Sequence, residues 1–140
     1  MKTIFETRAT AVGGRNGHVK SEDGILDFDV KVPTGMGGKG GEFTNPEQLF
    51  AAGYSACFDN AVIHVASMKK AKIQSQTTAT VGLAMTDDKR YELTVSLEVS
   101  IKGADQATAE DIVNTAHATC PYSNAVKGNV NVAITVKAEA

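Results

Sequence analysis

Asn45-Pro46-Glu47-Gln48-Leu49-Phe50-Ala51-Ala52-Gly53-Tyr54-Ser55-Ala56-Cys57-Phe58 is the stretch from which the architecture is read. Asparagine is a favoured N-cap, and proline at the first helical position lacks only an N–H that would stay unpaired anyway. Gln48, three residues past the cap, completes the start signal, so a helix begins here and continues over residues 49–68. That window is the most apolar in the chain, but Asp59, Asn60 and His64 interrupt it and much of the rest is alanine. It reads as a buried helix and not as a membrane span.

Working outward, the glycine cluster Gly35-Met36-Gly37-Gly38-Lys39-Gly40-Gly41 separates this helix from an N-terminal segment. There, residues 3–12 read as a strand and Gly13-Gly14-Arg15-Asn16-Gly17 as a turn. Leu26, Phe28, Val30 and Val32 alternate with Asp27, Asp29 and Lys31 as further strand, which together predict a small antiparallel sheet. On the C-terminal side, Tyr91, Leu93, Val95, Leu97, Val99 and Ile101 alternate without a break, and Asp87-Asp88 turns the chain back to residues 77–85 as a hairpin. Residues 105–119 have helical spacing through Ile112, Val113 and Ala116, and Pro121 stops that helix at or before Cys120. Val130, Val132, Ile134 and Val136 form a last strand. The order is strands, helix, strands, helix, strand, an α+β class without the regular βαβ rhythm of a doubly wound sheet.

A chain of 140 residues is expected to be one domain, residues 1–140, and is long enough to bury a core without disulfides or metal. Fourteen basic against 16 acidic residues leave a net charge of −2, so no positive field attracts nucleic acid or anionic lipid. Met1-Lys2-Thr3-Ile4-Phe5-Glu6 lacks the apolar stretch of a signal peptide, and a cytosolic location is expected. In that reducing setting, Cys57 and Cys120 point to redox chemistry, metal binding or plain packing, and not to a permanent bridge.

Several short patterns compete for a site. Residues 35–40 satisfy G-x-G-x-x-G, but the helix start comes five residues after Gly40, too late to place a phosphate on a helix terminus. Gly53-Tyr54-Ser55-Ala56-Cys57 resembles a nucleophile elbow, yet its last glycine is replaced and it lies inside a helix. Cys57 with His64, and His117 with Cys120, offer two cysteines and two histidines for tetrahedral zinc without the usual short Cys-x-x-Cys spacing; His117 equally reads as a hydrogen-bonded interior histidine. The remaining constellation is the thiol pair. Cys57 lies among apolar residues that raise a thiol's pKa, so it needs a cation to react. Arg15, on its glycine-flanked turn, is a candidate, with Glu47 able to hold the guanidinium by a bidentate pair. The same two charges also read as solvated surface residues. Ten residues from Glu47 to Cys57 span about 15 Å of helix, with side chains about 80° apart. Either the helix is irregular near Gly53 or one group comes from a second subunit.

The stretch from Asn45 to Phe58, together with Ala116-His117-Ala118-Thr119-Cys120-Pro121-Tyr122-Ser123-Asn124-Ala125, resembles the organic hydroperoxide resistance proteins of the OsmC superfamily. The likeness runs nearly end to end and includes Gly13-Gly14-Arg15-Asn16-Gly17 and Asp23-Gly24. It implies an OsmC-like fold, with antiparallel sheets packed around two longer helices in an intertwined homodimer. It also implies a thiol peroxidase that reduces organic, fatty-acid-like hydroperoxides to alcohols. No bound cofactor is implied; lipoylated proteins donate electrons through dihydrolipoyl groups. Cys57 matches the peroxidatic cysteine and Cys120 the resolving one, with Arg15 and Glu47 as the charged pair beside the thiol. Phe50, Phe58, Tyr122 and Met36 are expected to supply an apolar lining for the organic group. Asp59-Asn60, the short turn over residues 85–90 and Lys127 depart from the family pattern. A non-catalytic dimeric binder of apolar ligands, or a Cys/His zinc site, are the competing readings.

Overall fold

The computed structural model describes all residues 1–140 and gathers them into two compact units, Met1–Leu49 and Phe50–Ala140. The N-terminal unit holds a three-stranded antiparallel sheet in the order β1 (Ala9–Val12), β2 (Gly17–Ser21), β3 (Asp27–Val30). The sheet and its turn stand where the alternation places them, but the first strand is shorter than residues 3–12, because β2 offers partners only to Ala9 through Val12. Between β1 and β2 the chain makes a single 3-10 turn, Gly14–Asn16. The turn requires its glycines: Gly13 has φ 81°, and a Cβ on Gly17 would lie 1.7 Å from the Val12 carbonyl oxygen. A second 3-10 turn, Thr34–Met36, opens the glycine cluster.

Across the β2–β3 pair, His18 stands opposite Asp29. Its Nδ1 contacts Asp29 Oδ1 at 2.7 Å and its Nε2 contacts Asp27 Oδ1. The hydrogen bonds to Asp29 and Asp27 hold the imidazole above its ordinary pKa. Because the folded value is raised, the stabilisation is complete below the imidazole's unfolded pKa, about 6.5, and is lost as pH rises through the folded value. An NMR titration of the His18 ring should therefore show a midpoint above that of a free imidazole; a midpoint at or below it would contradict the pairing.

Helix α1 (Pro46–Met68) starts where the capping residues place it, with Asn45 Oδ1 accepting the Gln48 backbone N–H at 2.8 Å. It passes through Gly53 without interruption, which removes a helix irregularity there from consideration. The remainder of the C-terminal unit is a sheet ordered β4 (Gln74–Met85), β5 (Tyr91–Lys102), β6 (Val132–Glu139), with α2 (Gln106–Thr119) and α3 (Pro121–Val126) between the last two strands. Strands β4 and β5 form the expected hairpin. β6 pairs in parallel with β5, since two helices intervene and carry the chain back along the sheet. Asp105 caps α2 by accepting the Thr108 N–H at 2.8 Å.

The core of this unit is one cluster. α1 contributes Tyr54, Phe58, Val62 and Val65 at spacings of four, four and three; β5 contributes Val95, Leu97, Val99 and Ile101 on alternate positions; α2 adds Ala109, Ile112, Val113 and Ala116. The two periodicities meet in one apolar layer, and Cys120 is enclosed in the same cluster with no exposed surface. The α+β class read from the sequence is the class observed. Pro121 does end α2, but it also opens α3, a helix that the reading of proline as a stop signal did not include.

Candidate functional site

Cys57 and Cys120 are both free thiols, 63 residues apart in sequence, and the fold brings Cys120 Sγ to 3.7 Å from Cys57 Sγ, oriented to donate. Cys57 is half-buried, three residues after Tyr54 and so beside the buried stripe of α1. Cys120 occupies the joint between two helices. Its N–H donates to the Ala116 carbonyl as the close of α2, and its own carbonyl accepts from Asn124 N–H as the start of α3. Its backbone is extended, and Pro121 follows as the first residue of α3. The joint is thus fixed on both sides, and the thiol is presented to α1 by backbone geometry.

Burial pushes the Cys57 thiol above its ordinary pKa. The Tyr122 backbone N–H, in the first turn of α3, acts in the opposite direction by hydrogen bonding to the sulfur, while the neighbouring Cys120 thiol raises it again. This is the inert setting expected from the apolar sequence around Cys57, and within it a thiolate needs added positive charge.

In the N-terminal unit, Arg15 and Glu47 do form the bidentate pair that their chemistry suggests: Nη1 to Oε2 and Nη2 to Oε1, both 2.7 Å. Two parallel bonds in one plane fix the guanidinium's orientation as well as its position. Glu47 also lies in the first turn of α1, where the helix dipole favours an anion. The Arg15 hydrogen bonds hold its carboxyl below the usual glutamate range. The pair therefore stays intact from neutral pH down through the ordinary glutamate pKa, and its contribution is lost only as pH falls through the depressed folded value.

The residues expected to line the organic group take several placements. Phe58 is wholly enclosed in the core. Phe50, Tyr54 and Tyr122 pack edge-on or tilted, at 5.7 to 6.2 Å between ring centroids. Gly53 is explained by this cluster: a Cβ there would come within 2.7 Å of the Tyr122 hydroxyl. Met36 is exposed at the end of its 3-10 turn in the N-terminal unit. The cavity of about 780 Å³ that reaches Cys57 is bordered instead by Asn60, Ala61, His64, Val65 and Met68 of α1, with Thr115, Thr119 and Pro121 from the other side. The α1 members follow Cys57 at three, four, seven, eight and eleven residues, a single helix face. That periodicity is present in the sequence as the signal for this face.

The other patterns resolve simply. No three metal-binding side chains come together, and His117 is the hydrogen-bonded histidine, its Nδ1 2.9 Å from Ser123 Oγ. Gly38 is glycine because a Cβ would lie 1.8 Å from the Val32 carbonyl oxygen, a local packing need with no bearing on phosphate. Asp59, one of the departures from the family pattern, accepts a 2.9 Å hydrogen bond from Thr77 Oγ1 of β4. The sequence reading missed the buried link from Tyr54 Oη to Ser123 Oγ, 2.7 Å. The signal for it was a tyrosine and a serine set in apolar runs, since buried hydroxyls require partners.

Residues 38–135 match the model of the family described as OsmC-like protein. The chain is 44% identical over 135 residues to the organic hydroperoxide resistance protein OhrB of Bacillus subtilis, covering 96% of this chain and 98% of that protein. It is 41% identical over 137 residues to the organic hydroperoxide resistance protein of Xanthomonas axonopodis pv. citri, covering 96% of each. Among solved structures, an organic hydroperoxide resistance protein from Elizabethkingia anophelis superposes with a TM-score of 0.94 at 46% identity, covering 99% of this chain and 100% of that one. A Cys57–Cys120 contact set in this α+β fold, with likeness spanning nearly every residue, gives one conclusion: the chain belongs to the OsmC family, alongside its organic hydroperoxide resistance proteins.

Proposed function

We propose that this protein is a cysteine-based peroxidase that reduces organic hydroperoxides to alcohols. The observation that carries the reading is the 3.7 Å contact between a half-buried and a fully buried free thiol, in a chain similar to proteins named for organic hydroperoxide resistance. The Cys57 thiolate attacks one peroxide oxygen, the O–O bond breaks, and the other oxygen leaves with a proton as the alcohol. Cys57 becomes a sulfenic acid. The Cys120 sulfur then displaces the hydroxyl, which leaves as water with the thiol's proton, and a Cys57–Cys120 disulfide remains. A dithiol such as a dihydrolipoyl group reduces that disulfide through a mixed disulfide and is itself oxidised.

In this reading Arg15, oriented by Glu47, supplies the positive charge that the Cys57 thiolate and the departing alkoxide need. The family resemblance supports that assignment, as does a pair geometry that leaves the guanidinium rigid. The cavity at Cys57, with Ala61, Val65, Met68 and Pro121 on its walls, suits an alkyl chain better than hydrogen peroxide. We place the protein in the reducing cytoplasm as a homodimer, with a lipoylated protein as its electron donor.

The test is peroxide consumption with cumene hydroperoxide and with hydrogen peroxide, each with dihydrolipoamide, for wild type, Cys57→Ser and Cys120→Ser. The expected result is fast organic turnover that Cys57→Ser abolishes, while Cys120→Ser accumulates sulfenic acid or loses dithiol recycling. Equal inactivity of all three proteins would overturn the reading and favour an apolar-ligand binder whose thiols only pack.

A further inference from the structure

Tyr54, Ser123 and His117 meet at one hydroxyl. Ser123 Oγ lies 2.7 Å from Tyr54 Oη and 2.9 Å from His117 Nδ1. Tyr54 and Ser123 are buried, and His117 is partly buried. Each of the three belongs to a different helix: Tyr54 to α1, His117 to the last turn of α2, Ser123 to the first turns of α3. Their spacing relative to the thiols is regular. Tyr54 is three residues before Cys57, His117 three before Cys120, and Ser123 three after Cys120.

We infer that this hydrogen-bonded chain positions the two sulfurs for disulfide closure: it ties α1 to both sides of the α2–α3 joint and so holds Cys120 against Cys57. The inference deepens the peroxidase reading and, for its catalytic consequence, rests on it. A serine hydroxyl has one proton and two lone pairs, so it satisfies both neighbours by donating to one and accepting from the other. The order that pairs both hydroxyl protons has Tyr54 donating to Ser123 and Ser123 donating to an unprotonated His117 Nδ1; the reverse order leaves the buried Tyr54 proton without an acceptor. Cys120 has no exposed surface, so it cannot swing out and back to find its partner. The closing step needs the sulfurs to move from 3.7 Å to roughly 2.0 Å, a short displacement that a fixed joint allows and a loose one makes rare. The first step, attack of Cys57 on peroxide, forms no bond to Cys120, and the joint meets it only through the Tyr122 backbone N–H on the Cys57 sulfur. The three side chains, none of which contacts Cys57 Sγ by a hydrogen bond, are accordingly positioning residues whose main effect falls on the second step.

The experiment separates the two steps in the full-length protein. Reduced wild type, Ser123→Ala, Tyr54→Phe, His117→Ala and His117→Asn are mixed with cumene hydroperoxide in a single turnover. Peroxide loss reports the first step; dimedone trapping with mass spectrometry reports how long the sulfenic acid survives. Ser123→Ala, Tyr54→Phe and His117→Ala should consume peroxide within about twofold of wild type while the sulfenic acid persists about 10- to 100-fold longer. His117→Asn, whose amide can replace Nδ1, should restore rapid closure. Slowing of both steps together, or of neither, overturns the inference. A second measurement needs no peroxide: equilibration with oxidised and reduced glutathione gives the effective concentration of one cysteine for the other. It should fall about 10- to 100-fold in Ser123→Ala and recover in His117→Asn. If it is unchanged, the inference fails even where the peroxidase stands. If it falls while wild type turns over no peroxide, the peroxidase reading fails and the positioning role survives.

Discussion

Arg15→Ala should lower kcat/KM for cumene hydroperoxide by about 10²- to 10³-fold, the usual cost of removing one preorganised charge-stabilising donor, while circular dichroism stays that of the wild type. The fold should tolerate the change because Arg15 sits on a 3-10 turn whose shape is set by Gly13 and Gly17, and its side chain is 36% exposed. The chemistry should not, because burial already works against a Cys57 thiolate. Arg15→Lys keeps the charge but cannot reproduce two parallel bonds to Glu47, so it should recover only part of the activity. Glu47→Gln should fall between the two, since it frees the guanidinium without removing it. The pH dependence of Cys57 alkylation gives an independent check: its midpoint should rise in Arg15→Ala. Unchanged turnover together with an unchanged alkylation midpoint would remove Arg15 from the mechanism.

Phe58→Ala should destabilise the protein by about 3–5 kcal/mol, the range for deleting a buried aromatic ring. The ring is fully enclosed and packs against Tyr54 and His117, each about 6.3 Å away between centroids. Its neighbours come from α1 and α2 within one continuous buried cluster that also includes β5, so the walls can close only partly over the void. At roughly 2–4 °C per kcal/mol for a chain of this size, the melting temperature should drop by about 10 °C. Urea unfolding measures the loss directly; a change under about 1 kcal/mol would mean that the site collapses and that Phe58 is not central to the core. Phe58→Leu should restore much of the stability, which separates a packing defect from a general failure to fold.

What the sequence disclosed was local. Asn45 announces its helix because a cap is a contact over three residues, and the alternation from Tyr91 to Ile101 announces a half-buried strand because the pleat repeats every two. What it hid was either ambiguous or distant. Pro121 serves both as the end of one helix and as the first residue of the next, and the residue type alone does not separate those roles. β6 alternates the same way whether it joins β5 parallel or antiparallel, so its direction followed only from the two-helix crossover. The thiol contact and the Tyr54–Ser123 bond join residues 63 and 69 apart, beyond any periodic signal. The thiol pairing is implied by family likeness, and the Tyr54–Ser123 bond is not. The Arg15–Glu47 pair was proposed from chemistry and is present with both bonds formed. The aromatic lining was assigned by residue type, which favours large rings; Phe50, Phe58 and Tyr122 pack with Tyr54, and the cavity at Cys57 is walled by the helix face of Ala61, Val65 and Met68.

The unequal burial of the two sulfurs has a bearing on endurance under heavy oxidant load. Cys120 is wholly shielded while Cys57 is only partly covered, so a peroxide arriving from solvent meets one thiol and not its partner. A sulfenic acid is ruined when a second peroxide carries it on to the irreversible sulfinic state. In the proposed mechanism the competing reaction is with a thiol already in contact, which no dose of peroxide can dilute. In a peroxidase built this way, the shielded sulfur acts as insurance against suicide inactivation, and enzyme lifetime depends on the packing that keeps Cys120 dry and close.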